Sequence, residues 1–210
     1  DKSDVRFFTH IAESRQELSM IIDPRSDSPI RHLDALGVLD GNAACVHSVW
    51  VDDRDIDILA ESGAGVITCP QSNLKLASGI APVAGMAGRS IPIGLGTDGC
   101  ASNNSLDMFR EMGMLARIQK SVTKSPTAMP ARQVLSSATT EGAKVIGLEN
   151  CGRLAPGCRA DLIILSPDSL NLVPLYNQDL LVYSATGRDV EWTIIDGRVV
   201  MEKRQILSFD

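Results

Sequence analysis

Ile91-Pro92-Ile93-Gly94-Leu95-Gly96-Thr97-Asp98-Gly99 begins as a short apolar run, Ile91 to Leu95, and ends in a turn that carries a carboxylate. Such a run reads as a buried strand. The same plan recurs upstream. Val5 to Thr9 is a strand closed by His10, within Thr9-His10-Ile11-Ala12-Glu13, and Ala43 to Val46 is a strand closed by His47, within Cys45-Val46-His47-Ser48. Gly65 to Thr68 is the remaining strand of this kind, and it empties into a long polar loop from Pro70 to Pro82.

Helical stretches separate these strands. One runs from about Glu13 to Ile22, and a second, Ile30 to Leu36, follows a joint at Pro24 and Pro29. A third begins at Asp52 or Asp53, an acidic first turn, and runs to Glu61, where Ser62-Gly63 ends it. Leu106, Phe109, Met112, Leu115 and Ile118 recur at helical spacing within Ser105 to Lys120, and Ala131 to Ser137 and Thr140 to Leu148 are helical too. Repeated strand–helix alternation predicts a parallel sheet with right-handed crossovers, an α/β fold. From about Asn150 the pattern changes. Gly152-Arg153-Leu154 and Pro156-Gly157 form a turn, and Ala160 to Leu165 is a strand. Val190 to Ile195 and Arg198 to Met201 flank Asp196-Gly197, a hairpin signature. The chain thus divides into an α/β part, 1–149, and a small β module, 150–210.

Net charge is −6 with a sequence pI near 5.1, which argues against nucleic acid or an anionic membrane as partner. No apolar run is long enough to span a bilayer, and Asp1-Lys2-Ser3-Asp4 lacks the basic-then-apolar pattern of a signal peptide. The cysteines, Cys45, Cys69, Cys100, Cys151 and Cys158, are odd in number and form no Cys-x-x-Cys pair. They read as free, small buried hydrophobes in a reducing cytoplasm.

In a βα barrel the C-terminal ends of the strands converge on one face, where active sites are built. Two imidazoles and a carboxylate brought together there suit zinc or iron in an open catalytic site. Glu13, three residues beyond His10, faces the same space as a proton shuttle. Singly, each has a plainer reading: a strand-end histidine as a core or surface group, Thr-Asp-Gly as a turn, Glu13 as a helix N-terminal acid. Their coincidence at successive strand ends favours a site. His32 has no such context and reads as a helix-surface residue.

Three longer motifs carry a family resemblance. Cys69-Pro70-Gln71-Ser72-Asn73-Leu74-Lys75-Leu76-Ala77-Ser78-Gly79-Ile80-Ala81-Pro82 resembles the loop after the seventh strand in amidohydrolase-superfamily deaminases. Gly96-Thr97-Asp98-Gly99-Cys100-Ala101-Ser102-Asn103-Asn104 resembles the eighth-strand motif of methylthioadenosine/S-adenosylhomocysteine deaminases. Gly152-Arg153-Leu154-Ala155-Pro156-Gly157-Cys158-Arg159-Ala160-Asp161-Leu162 is similar to the C-terminal β segment of that superfamily.

The resemblance implies the C-terminal half of a (β/α)8 TIM-type barrel, strands five to eight, plus a small C-terminal β segment of a composite β-sandwich. It makes His10 and Asp98 ligands of one divalent metal, with zinc ahead of iron. Glu13 protonates the purine ring nitrogen, His47 orients the attacking hydroxide, and Asp98 also accepts the proton of its parent water. Ser72 and Asn73 shape the loop beside the substrate. The implied reaction is hydrolytic deamination of adenosine-type nucleosides. A triazine chlorohydrolase, a guanine or cytosine deaminase and a non-catalytic half-barrel are the competing readings.

The sequence departs from the family at one point: it has three histidines, His10, His32 and His47, and none forms the family's His-x-His pair. The expectation is therefore a chain that is a poor catalyst alone. Its open sheet edges would be covered by a missing N-terminal half or by another chain.

Overall fold

The computed structural model describes residues 5–20 and 28–207. Four strands, β1 (Phe7–Ile11), β2 (Ala43–His47), β3 (Gly65–Thr68) and β4 (Ile93–Leu95), pair in the order β1-β2-β3-β4, every pair parallel. Thr9 pairs with Cys45, Cys45 with Val66 and Val66 with Ile93, so this row faces one side. Helices α1 (Arg15–Met20), α2 (Pro29–Ala35), α3 (Asp53–Ser62), α4 (Pro70–Lys75), α5 (Val83–Gly88), α6 (Cys100–Asn103), α7 (Met108–Thr123) and α8 (Ala131–Ser137) lie between or after the strands, and α2, α3, α5, α7 and α8 bury side chains in the core with that row. The core joins Ile11, Cys45, Val66, Ile93 and Leu95 of the sheet to Ile56, Leu59, Met112, Leu115 and Val134 of the helices.

Local chemistry sets the helix limits. Asp52 caps α3 in a capping box with Asp55, and Gly63, at φ 75°, closes it in the left-handed conformation. Asp107 caps α7 by accepting from the backbone N–H groups of Phe109 and Arg110. That cap starts the helix at Met108 rather than at Ser105, and leaves Leu106 outside it and exposed.

The opposite face of the sheet is covered differently. Helix α9 (Thr140–Val145) places buried Val145 over Gly65 and Gly94. A Cβ on Gly65 would sit 2.9 Å from Val145 Cγ1, and one on Gly94 3.6 Å from Val145 Cβ. These glycines let a helix lie against strands. The helix stops at Val145, short of the expected Leu148, and Gly147 at φ 74° turns the chain away.

Helix α10 (Leu180–Ser184) packs on α7 and α8, and a second sheet, β5 (Leu162–Leu165), β6 (Val190–Ile195), β7 (Arg198–Glu202) and β8 (Gln205–Ile206), is antiparallel in that order. Asp196 and Gly197, at φ 51° and 74°, make the two-residue turn that their sequence predicts.

Several expectations needed correction. The first strand lies two residues later than Val5 to Thr9, because pairing continues to Ile11 opposite His47. His10 is therefore inside the strand. The stretch from Pro70 to Pro82 is not all loop, since Pro70 at the first helical position opens α4. Ile91 and Pro92 fall outside β4. Helices α6 and α10 and strand β8 had no distinct sequence signal. The expected helix from Glu13 starts at Arg15, and its end at Ile22, the joint at Pro24 and the segment Asp1 to Asp4 lie outside the described residues.

All five cysteines are free, and Cys45, Cys69 and Cys151 are buried as expected. Burial pushes the Cys45 and Cys69 thiols up to about 12. Cys100 is exposed and Cys158 half-buried, contrary to the buried reading: Cys100 opens the short helix α6 and Cys158 lies in a bend after Pro156-Gly157. No helix among the described residues is long and apolar enough to cross a membrane.

Candidate metal and catalytic site

The C-terminal ends of the parallel strands bring His10, His47 and Asp98 together. One ligand atom from each lies within 4.8 Å of the others, and the two imidazole rings are 5.2 Å apart, tilted by 35°. His10 is exposed, His47 is buried and Asp98 is intermediate. The backbone bends sharply at two of these positions: His47 has φ 74° and Asp98 φ 58°, and Ser48, next in line, has φ 45°. A non-glycine residue there costs about 1–2 kcal/mol, less for Asp, and persists only where its surroundings hold it. Ser48 N–H is held by the carbonyl of Ile11, 3.1 Å away, and Asp98 is held by its own side-chain bonds.

Asp98 Oδ2 accepts from Ser72 Oγ and from Ser102 Oγ, each at 2.6 Å. Burial pushes this carboxyl up, but the two hydroxyls, the Gly99 backbone N–H and the neighbouring His47 outweigh it, bringing it to about 2. Asp98 is thus a carboxylate at any ordinary pH. His47 Nδ1 is 2.8 Å from Asn73 Oδ1. With the Asn73 oxygen accepting, Nδ1 carries the proton and Nε2 presents a lone pair. That Nε2 lies 3.8 Å from Glu13 Oε2.

Glu13 is held from two directions. Glu17, on α1, accepts from the backbone N–H groups of Ala12 and Glu13 at 2.7 and 2.8 Å. Ser78 Oγ donates to Glu13 Oε1 at 3.2 Å. The Ala12 carbonyl accepts from Val49 and Trp50 N–H, which ties the β1 end to the β2 end.

Every residue singled out in the sequence for chemistry therefore reaches one region: His10, Glu13, His47 and Asp98, with Ser72 and Asn73 buried behind them. The hydrogen bonds of Ser72 and Asn73 go to Asp98 and His47. His32 stands apart on α2. Sequence reasoning missed Ser102, Ser78 and Glu17. A signal existed for two of them, since Ser102 is four residues after Asp98 and Glu17 four after Glu13, one helical turn in each case. Two imidazole nitrogens and a carboxylate oxygen at this spacing are the donor types that zinc takes, so the residues fit such an ion.

A family model described as "Amidohydrolase family" matches residues 1–200. A 5-methylthioadenosine/S-adenosylhomocysteine deaminase of Dictyoglomus thermophilum is 43% identical over 203 residues, 96% of this chain and 48% of that protein. A 5'-deoxyadenosine deaminase of Methanothermobacter thermautotrophicus is 42% identical over 207 residues, 98% of this chain and 48% of that protein. Among solved structures, an adenosine deaminase from Xanthomonas campestris with bound zinc superposes with a TM-score of 0.95 at 34% identity, covering 99% of this chain and 48% of that one. The chain spans about half the length of the relatives it matches. With a family match over nearly all its residues and a barrel-type α/β likeness throughout, this chain belongs to the amidohydrolase family.

Proposed function

We propose that this chain is the C-terminal portion of a metal-dependent aminohydrolase acting on adenosine-type nucleosides such as methylthioadenosine, S-adenosylhomocysteine and adenosine. The convergence of His10, His47 and Asp98 at the strand ends, with Glu13 alongside, carries this reading. In it, the α/β part, 1–149, is strands five to eight of a (β/α)8 barrel, and 150–210 contributes to a composite β-sandwich.

His10 and Asp98 hold the metal, zinc ahead of iron. When bound, such an ion supplies the Lewis acidity that activates water for attack on an amino-bearing ring carbon. Asp98, kept ionised by its two hydroxyl donors, takes up a proton. His47, its Nδ1 proton committed to Asn73, uses Nε2 to orient the attacking oxygen. Glu13, 3.8 Å from that Nε2, delivers a proton to the ring nitrogen. Ser72 and Asn73 shape the substrate's side of the site through the groups they hold.

Two protein ligands are fewer than the three usual for catalytic zinc, so the remainder of the ligand set comes from outside this chain. The edge strand β1 supports the same view: its own Phe7 and Phe8 are 41% and 48% exposed, a surface for the missing half or another chain. Free thiols throughout fit a cytoplasmic location.

The test is ammonia release from adenosine, methylthioadenosine and guanine, and chloride release from a chlorotriazine, with the chain alone and with it complemented by the N-terminal half of the Dictyoglomus thermophilum relative. Release from the two adenosine nucleosides by the complemented protein only is the expected result. Preference for guanine, or chloride release from the triazine, overturns the substrate class. Full activity of the chain alone overturns the incompleteness.

A further inference from the structure

Helix α7 carries a carboxylate, Glu111, that is wholly buried and makes no hydrogen bond to the four proposed metal and catalytic residues. Its Oε2 accepts from the Gln71 backbone N–H at 3.1 Å. Its Oε1 accepts from Gln71 Nε2 at 2.7 Å and from Asn103 Nδ2 at 2.6 Å. Asn103 also donates to the Thr97 carbonyl, next to Asp98. Three donors thus converge on one acceptor-only group, and they come from the segments that follow β3 and β4.

The residues after Gln71 are Ser72 and Asn73, one bound to Asp98 and the other to His47. The far end of the same segment is pinned from the same helix, where Gln119 Nε2 donates to the Ala81 carbonyl and its Oε1 accepts from Ala84 N–H. Between those ends lies Ser78, which bonds Glu13.

We infer that Glu111 is a positioning residue for the proposed active site: by holding Gln71 it sets Asn73 against His47 Nδ1, and so selects the imidazole tautomer whose Nε2 faces Glu13. The inference deepens the deaminase reading and rests on it for the meaning of the site. The tautomer itself is a property of this chain. In water a neutral imidazole favours the Nε2–H form, so a predominant Nδ1–H form needs the Asn73 oxygen in place. Gln at position 111 puts an amide N–H where only acceptors fit, and at least one of the three donors loses its partner.

The experiment is nitrogen-15 NMR of the His47 ring in the whole, metal-free chain at mildly alkaline pH, for the parent, Glu111→Gln and Val134→Ala. Val134 is a fully buried core residue of α8, so its truncation is a stability control. The expected result is a predominant Nδ1–H signature in the parent and in Val134→Ala, and a shift to the Nε2–H or an averaged signature in Glu111→Gln. An Nε2–H parent, an unchanged Glu111→Gln spectrum, or an equal shift in Val134→Ala overturns the inference. Should Glu111→Gln not fold, Gln71→Ala removes the side-chain half of the tie and leaves the backbone N–H bond; a smaller shift in the same direction is expected, and an unchanged spectrum overturns the inference. Failure to bind zinc or to deaminate would sink the deaminase reading while leaving this tautomer comparison intact.

Discussion

Ser72 Oγ lies 2.6 Å from Asp98 Oδ2, so the segment after β3 fixes the charged group in the turn that follows β4.

Replacing Ser72 by Ala leaves Asp98 with one hydroxyl donor, Ser102. A hydrogen bond to a charged group contributes about 1.5–3 kcal/mol, and a loss of that size is expected in urea unfolding. The folded carboxyl, at about 2, lies below the ordinary value. Its contribution is therefore present above about pH 4 and is lost as pH falls through the folded value. In Ser72→Ala the folded value rises and acid unfolding begins at higher pH. Carboxyl carbon-13 NMR of the metal-free chain reads the first and a circular dichroism titration the second. An unmoved Asp98 signal would rule the idea out.

His10→Ala and Asp98→Asn each remove a proposed ligand. Mass-spectrometric metal content of the complemented protein should drop from about one zinc per site to near none for both. His10 is exposed, so in the metal-free chain His10→Ala should keep the parent melting temperature. Retention of zinc by both variants would refute the ligand assignment.

Glu13→Gln keeps the shape and the Ser78 contact but removes the proton. In the complemented protein, kcat should fall roughly 100-fold or more with zinc content unchanged. Loss of zinc instead would make Glu13 a ligand rather than a proton carrier.

Gly65→Ala forces a methyl group to 2.9 Å from Val145 Cγ1. Overpacking of this kind costs about 1–3 kcal/mol. Adding Val145→Ala should recover part of that cost, a favourable coupling of about 1 kcal/mol in a double-mutant cycle by urea unfolding. Simple additivity would show that α9 does not press on β3.

Elements with local causes were legible without the fold. Asp52 and Gly63 bracket α3 within a residue, and Asp196-Gly197 turns the hairpin where expected, because caps and tight turns are chemistry between near neighbours. Strand limits were less legible. Phe7 to Ile11 was placed two residues early, since pairing with β2, not composition, decides where the strand stops. His10, Glu13, His47 and Asp98 were readable as candidates from residue type and place at strand ends.

By itself, then, the sequence determined the strand–helix alternation, the main caps and turns, and which side chains were chemically suited to metal and proton work. The tertiary structure alone decided what holds them. Ser72 meets Asp98 and Asn73 meets His47 across 26 residues, and Gln71 meets Glu111 across 40. It also decided that Gly65 and Gly94 lie beneath Val145. Such contacts depend on the register of a parallel sheet and the packing of a helix from beyond it, and no local pattern encodes a distance between residues so far apart in the chain.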